Sequence, residues 1–231
     1  MTFHWKRDLY HTFRIMSAHS PQPKREQALG EEIASAVSHG VGFLGAVAVT
    51  PILILTALPA GTAAVIGASI FGATMSVLYL ASTLYHAFPQ SKTKRLFKIF
   101  DHGAIFLLIA GTYTPFTLGL LRGAWGWSLF GIVWGLAIIG VTVKSIGGAN
   151  SSKLSTGIYL AMGWLAIVAV KPLWFNMPAW GLFWLLAGGL MYSAGVLFFV
   201  ADRIRYSHFI WHLFVLAGTA CHVVAVLAFA Y

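Results

Sequence analysis

Seven apolar stretches, each close to the ~20 residues that a helix needs to cross a bilayer, dominate this chain. They cover about 34–57, 63–87, 99–120, 126–146, 155–173, 179–201 and 206–230, and are numbered span 1 to span 7. Turn-forming or charged residues separate consecutive stretches. Because lipid offers the backbone no hydrogen-bond partners, each stretch is predicted to be a helix. We therefore expect an all-α membrane protein, a bundle of seven transmembrane helices.

The composition supports this class of protein. Of the 231 residues, 58% are hydrophobic and 9% are charged, whereas a soluble domain carries about 25% charged residues. The net charge of +9 is compatible with nucleic acid, but its distribution indicates a membrane surface, so no nucleic-acid partner is expected. The single cysteine, Cys221, excludes a thiolate zinc site. Any metal must therefore be bound by His and carboxylate ligands.

Lys and Arg are unevenly distributed between the two ends of the predicted bundle. The amino-terminal tail and the joints 2–3, 4–5 and 6–7 hold thirteen of the fifteen, and Arg122 and Lys171 fall on the other side. The positive-inside rule then predicts a cytoplasmic amino terminus and a carboxyl terminus on the far side. Residues 1–30 form a basic and aromatic tail, either an interfacial helix or a disordered segment, before a transmembrane domain over 31–231.

Small residues and one proline predict local features of the helices. Gly131-x-x-x-Gly135 in span 4 and Gly188, Gly189 and Gly195 in span 6 predict close approach of neighbouring helices. The pair Lys171-Pro172 predicts that span 5 ends early.

With this orientation, polar residues gather at the cytoplasmic ends of the spans. Span 2 ends with Ser82 and His86, span 3 begins with Asp101, and span 7 begins with His208 and His212. His208 and His212 are four residues apart and share one helix face, a spacing that suits a shared metal ion. Ser82 and His86 share a face in the same way. Three His ligands with water form the open arrangement of a catalytic zinc site, and a nearby carboxylate can orient a ligand.

Each candidate also has a simpler explanation. A His at a helix end is usually an interfacial residue, and Asp101 can be the N-cap of span 3. Spacing alone leaves His86 undecided as the third ligand. His102 points in a different direction from Asp101, and His39 and His222 are reserve candidates.

The ordered set of motifs resembles the hemolysin III branch of the progestin and adipoQ receptor (PAQR) family. The matching segments begin with Glu31-Glu32 through His39 in span 1 and Ser82-Thr-Leu-Tyr-His86 in span 2. They continue with Phe100-Asp101-His102 through Pro115 in span 3 and His208-Phe-Ile-Trp-His212 through Cys221-His222 in span 7. One departure is Ser35, which stands where the family pattern has Asn.

The resemblance implies a seven-helix bundle with a buried zinc ion. It implies His86, His208 and His212 as the zinc ligands, Asp101 as the acid that holds the zinc-bound water, and Ser82 as its neighbour. Eukaryotic relatives look like receptors or lipid amidases. The bacterial branch is associated with membrane homeostasis and, by name, with haemolysis, which implies a multi-pass protein of the bacterial inner membrane.

Three functional hypotheses follow. The first is a zinc-dependent hydrolase of a lipid-like amide or ester, in which Asp101 accepts the proton of water and Ser82 binds the developing oxyanion. A membrane lipid or fatty-acid-like molecule would then occupy an apolar cavity. The second is a non-enzymatic membrane sensor with structural zinc. The third is a pore or cytolysin, against which the clustering of polar residues at one end argues.

Overall fold

A computed structural model describes residues 25–147, 152–201 and 203–231. It contains seven helices that are long and apolar enough to cross a membrane. Within the described ranges the secondary structure is helical and no β-strand occurs. The predicted all-α class with seven spans is therefore confirmed. Most of the predicted tail, residues 1–24, lies outside the described part of the chain.

The helices begin and end close to the predicted positions. Span 1 is Leu29–Ala57, with a 3-10 turn at Leu58–Ala60, followed by span 2 at Thr62–Ala87, span 3 at Lys92–Leu118 and span 4 at Gly123–Gly147. Span 5 joins the α-helix Ser152–Gly163, the 3-10 segment Trp164–Ala169 and the α-helix Val170–Asn176. Span 6 is Ala179–Val200 and span 7 is Ser207–Phe229.

Several boundaries lie a few residues from the predicted ones, such as the start of span 1 at Leu29 instead of near 34, and two of them have clear local reasons. Span 3 begins at Lys92 rather than near residue 99, because the Ser91 hydroxyl caps the helix by accepting the Lys94 N–H at 3.1 Å. Span 5 continues to Asn176 instead of ending near 173. Pro172 lies in the first turn of its last helix, where the missing N–H would have no intrahelical partner in any case.

Consecutive spans pack against one another, and span 7 returns to contact span 1. This contact brings the first and last helices of the bundle together. Span 5 lies beside spans 3, 4 and 6 but contacts each of them at only a few points. The bundle is therefore tightly packed on the side of spans 1, 2, 3 and 7 and more loosely packed around span 5.

The glycines of span 6 and span 4 behave differently. A Cβ at Gly188 would overlap the His222 ring, and one at Gly195 would come within 2.8 Å of Trp211, so the predicted close packing is confirmed at these two positions. A Cβ at Gly131 or Gly135 would meet nothing within 4 Å. The predicted close packing at the span 4 pair is therefore wrong, since none of the other described helices approaches there.

Candidate metal centre

Spans 2 and 7 bring three histidines together at one end of the bundle, the end where spans 1, 3 and 7 begin. His86 lies in the last turn of span 2, and His208 and His212 lie in the first two turns of span 7. One ligand atom from each ring lies within 4.8 Å of the others, so the group can hold a metal ion. The ring centroids are 4.7 to 5.0 Å apart.

The proton position on His86 follows from its neighbour. His86 Nδ1 lies 2.7 Å from the Glu32 carboxylate oxygen Oε2. A carboxylate only accepts hydrogen bonds, so Nδ1 carries a proton, and Nε2 of the neutral ring then has a free lone pair. His86 Nε2 is buried and has no hydrogen-bond partner among the described residues.

His212 is oriented in the same way by span 1. Its Nδ1 lies 3.2 Å from the main-chain carbonyl of Ser35, which can only accept, and 3.2 Å from Ser38 Oγ. His212 Nε2 is therefore also left with a lone pair. Because the Ser35 contact uses the main chain, the departure from Asn at this position leaves it intact.

Zn²⁺ fits the residues that surround this point. His208 Nε2 is buried without a partner in the described part of the chain, as is His86 Nε2. Unpartnered buried nitrogens are uncommon and call for an explanation. Neutral imidazoles with free Nε2 lone pairs are typical zinc ligands, and a ligand ion would satisfy both orphaned atoms.

Asp101 and Ser82 lie beside the histidines. Asp101, in span 3, is 6% exposed and lines a cavity of about 20 Å³ together with His208 and His212. A cavity of this size has room for about one water molecule. Ser82 Oγ is close enough to interact with the Asp101 carboxylate, but it forms no hydrogen bond of normal geometry with any described residue. All five predicted side chains thus lie at one end of the bundle, and their roles stay predictions.

Comparison with known proteins supplies the family. The model of the family described as Haemolysin-III related matches residues 27–223. The chain belongs to the hemolysin III family. Hemolysin-3 of Bacillus cereus is 49% identical over 195 residues, which are 84% of this chain and 89% of that protein. The Hemolysin-3 homolog of Bacillus subtilis (strain 168) is 46% identical over 198 residues, 85% and 93% of the two chains.

A more distant relative connects this hemolysin III protein to animal proteins. The Monocyte to macrophage differentiation factor of Homo sapiens is 30% identical over 176 residues, 72% of this chain and 71% of that protein. The resemblance to the hemolysin III branch of the PAQR family is thus confirmed.

His102, which was left out of the predicted ligand set, and the two reserve candidates lie around the three-histidine group of this hemolysin III protein without joining it. His102 donates from Nδ1 to the Lys98 carbonyl at 2.8 Å and lines the small cavity. His222 lies deeper in span 7, where Nε2 donates to the Leu185 carbonyl at 3.1 Å. His39 stacks on His212 with the ring centroids 3.6 Å apart, and neither of its nitrogens has a partner among the described residues.

Glu31 has a role that sequence reasoning missed. Its carboxylate accepts two hydrogen bonds from Arg25, at 2.7 and 2.6 Å, and one from the Tyr206 main-chain N–H at 2.6 Å. The hydrogen bonds and the negative charge raise the pKa of the Arg25 guanidinium above its usual value. Tyr206 is the N-cap of span 7, so Glu31 ties span 1 to the start of the helix that carries His208 and His212.

Glu32, the next residue, was missed in the same way. Its two oxygens contact side chains from two other spans, His86 at 2.7 Å and Lys94 at 2.9 Å. The sequence feature that could have revealed these roles is the pair of adjacent carboxylates at the start of an apolar span. Carboxylates are energetically costly there unless they have partners.

A second cavity, of about 350 Å³, lies between spans 3, 5, 6 and 7. It shares four lining residues with the small cavity, namely Leu78, Ile105, Trp211 and Val215. Along span 3 it extends from Ile105 to Phe116, about three helical turns. The hydroxyls of Thr112, Tyr113 and Tyr159 on its wall donate to main-chain carbonyls. The cavity is therefore apolar and begins beside the candidate metal centre.

Proposed function

We propose that this hemolysin III protein is a zinc-dependent intramembrane hydrolase that cleaves an amide or ester bond of a lipid. The observation that supports this proposal most directly is that His86, His208 and His212 lie together beside Asp101, at the end of an apolar cavity. Zn²⁺ held by these three residues would supply a Lewis acid that activates water and polarises a carbonyl.

The side chains around the histidines provide the remaining chemistry. The Asp101 carboxylate accepts the proton of the attacking water, which the small cavity has room to hold. The Ser82 hydroxyl donates a hydrogen bond to the carbonyl oxygen as negative charge develops on it. Asp101 then passes its proton to the leaving amine or alcohol, so that the fatty acid and the second product separate.

The large cavity accommodates the acyl chain of the substrate, because its wall is apolar and its hydroxyls are already hydrogen-bonded. The substrate enters from the bilayer between spans 5 and 6, because exposed side chains of both helices border the cavity there. The exposed side chains Ile167, Trp174 and Leu186 border this side of the cavity, with exposures of 59%, 68% and 52%. The proposed partner is therefore a membrane lipid or fatty-acid-like molecule.

The protein is a multi-pass membrane protein, and we place it in the bacterial inner membrane with a cytoplasmic amino terminus. The support is the concentration of thirteen of fifteen Lys and Arg on one predicted side and the relatives from Bacillus. This orientation puts the candidate metal centre in the cytoplasmic leaflet. Residues 1–30 are proposed to be a tail outside the seven-helix domain over 31–231.

The test uses the full chain purified in detergent. Elemental analysis measures zinc, and mass spectrometry measures the fatty acid released from a panel of N-acyl and O-acyl lipids. We expect one zinc ion per chain and fatty-acid release that chelator stops and added zinc restores.

Full zinc content without hydrolysis of any lipid would contradict the proposal, and a large loss of thermal stability on chelation would then indicate a structural zinc. Liposome leakage that persists in a His208→Ala/His212→Ala variant would indicate a cytolysin.

Gly189→Phe is expected to lower the hydrolysis of long-chain substrates by about tenfold or more, because the ring would occupy the acyl cavity. Gly189 lines the cavity, and a Cβ there would contact only the Trp164 ring, at 4.0 Å. Rates measured against acyl length check this, with a smaller effect on short chains and unchanged zinc content. Gly131→Phe is the matched control, since Gly131 has open space and does not line the cavity. Equal rates for both variants at every chain length would refute the placement of the acyl chain.

A further inference from the structure

We propose that Glu32 is a positioning residue of the metal centre, which acts through His86 and is balanced by Lys94. The inference rests on the metal site of the proposed function but not on hydrolysis. It adds a carboxylate of span 1 to a site whose candidate ligands come from spans 2 and 7.

Glu32 is placed to control His86 by direct contact. It lies in the first turn of span 1, and its Oε2 accepts a hydrogen bond from His86 Nδ1 at 2.7 Å. The His86 side chain is fully buried and that of Glu32 is 15% exposed, so little water competes for the contact. A short hydrogen bond to a charged group is roughly twice as strong as one between neutral groups.

This contact determines which His86 nitrogen faces the metal. With the proton held on Nδ1, the ring presents its Nε2 lone pair to the group that includes His208 and His212. The carboxylate also fixes the plane of the ring and makes the imidazole a stronger electron donor. Without the carboxylate, the Nδ1 proton loses its acceptor and the ring can rotate or change tautomer.

Lys94 completes the arrangement from span 3. Its ammonium group lies 2.9 Å from Glu32 Oε1, donates to the Phe88 carbonyl at 3.1 Å and lies 4.9 Å from the centre of the Tyr85 ring. A carboxylate that is largely removed from water requires an opposite charge nearby. Lys94 supplies this charge on the oxygen that His86 does not use, so both oxygens of Glu32 have defined partners.

The contacts of the neighbouring carboxylates distinguish their roles. Glu31 contacts Arg25 and the main chain of Tyr206, and none of its hydrogen-bond partners is a candidate metal ligand. Glu26 is exposed, with no fixed contact to the histidine group. Of these three glutamates, Glu32 contacts the ring of a candidate metal ligand, His86. Weaker metal binding after substitution of Glu32 would therefore be attributable to this contact.

The experiment compares the wild type with Glu32→Gln, each purified as the full chain in detergent. Competition against a chromogenic zinc chelator measures affinity, and the visible absorption of the Co²⁺-loaded protein reports the ligand arrangement. We expect Glu32→Gln to bind zinc roughly 10–100-fold more weakly and to shift the Co²⁺ spectrum. Glu26→Gln is the matched control and should bind and absorb as the wild type does.

A second variant covers the case in which Glu32→Gln does not fold. Glu32→Asp keeps the charge but is one methylene shorter, so it cannot contact both His86 and Lys94 at the observed distances. It should weaken zinc binding and shift the Co²⁺ spectrum in the same direction. Unchanged affinity and spectrum in the folded variants, with a metal-binding wild type, would overturn the role of Glu32 alone. A wild type that takes up neither ion would overturn the proposed function as well.

Discussion

Asp101→Asn is expected to lower lipid hydrolysis by about 10²- to 10⁴-fold, the range that general acid–base catalysis contributes. Asn has nearly the shape of Asp, but its amide cannot accept the proton of the attacking water. Zinc content should stay at the wild-type level, because the group proposed to bind the metal consists of His86, His208 and His212. Asp101 instead borders the cavity that has room for one water molecule.

The measurement pairs the rate of fatty-acid release with zinc content in the same preparation. Glu26→Gln again serves as the control for exchanging a carboxylate for an amide, here at an exposed position. A variant that loses zinc together with activity would show that Asp101 acts in metal binding. Wild-type turnover in Asp101→Asn would remove Asp101 from the proton transfer altogether.

His212→Ala is expected to abolish stable zinc binding. Loss of a ligand should weaken zinc binding by more than the roughly 10–100-fold expected when a residue that contacts a ligand is lost. The reason is that only two nitrogens of the group would remain. His212 is 1% exposed and its ring is oriented by the Ser35 carbonyl, so its Nε2 has a defined position in the group. Hydrolysis should fall to the background rate at the same time.

Thermal unfolding with and without added zinc provides the measurement, since an ion that binds only the folded state stabilises it by mass action. The unfolding temperature of the wild type should rise with zinc, and that of His212→Ala should not. His222→Ala is the matched control, a buried histidine of the same helix that bonds to the Leu185 carbonyl. An identical zinc response in His212→Ala and the wild type would contradict the assigned ligand set.

The number and approximate limits of the helices could be predicted because hydropathy is a local property that the lipid imposes on each segment. The spacing of His208 and His212 similarly depends on one helix alone, and counting Lys and Arg brought Ser82, His86 and Asp101 to the same predicted end. These inferences require only the direction in which each span crosses the membrane.

The contacts between helices could not be predicted in the same way. They depend on how each helix is rotated about its axis, and spans that are apolar on all sides do not reveal this rotation. The partners of Glu31 and Glu32 are of this kind, as is the loose packing of span 5. The error at Gly131 and Gly135 has the same origin, since the small residues were recognised but the neighbouring helix was not.

The pairing of the first and last spans has a consequence for biogenesis. Glu31 and Glu32 enter the membrane with the earliest helix, whereas His208, His212 and the Tyr206 N–H that Glu31 binds are made last. A chain is synthesised from its amino terminus, so a nascent chain lacking span 7 cannot complete the histidine group. Metal uptake would therefore occur only after the whole bundle has assembled, which makes a bound ion a marker of finished insertion.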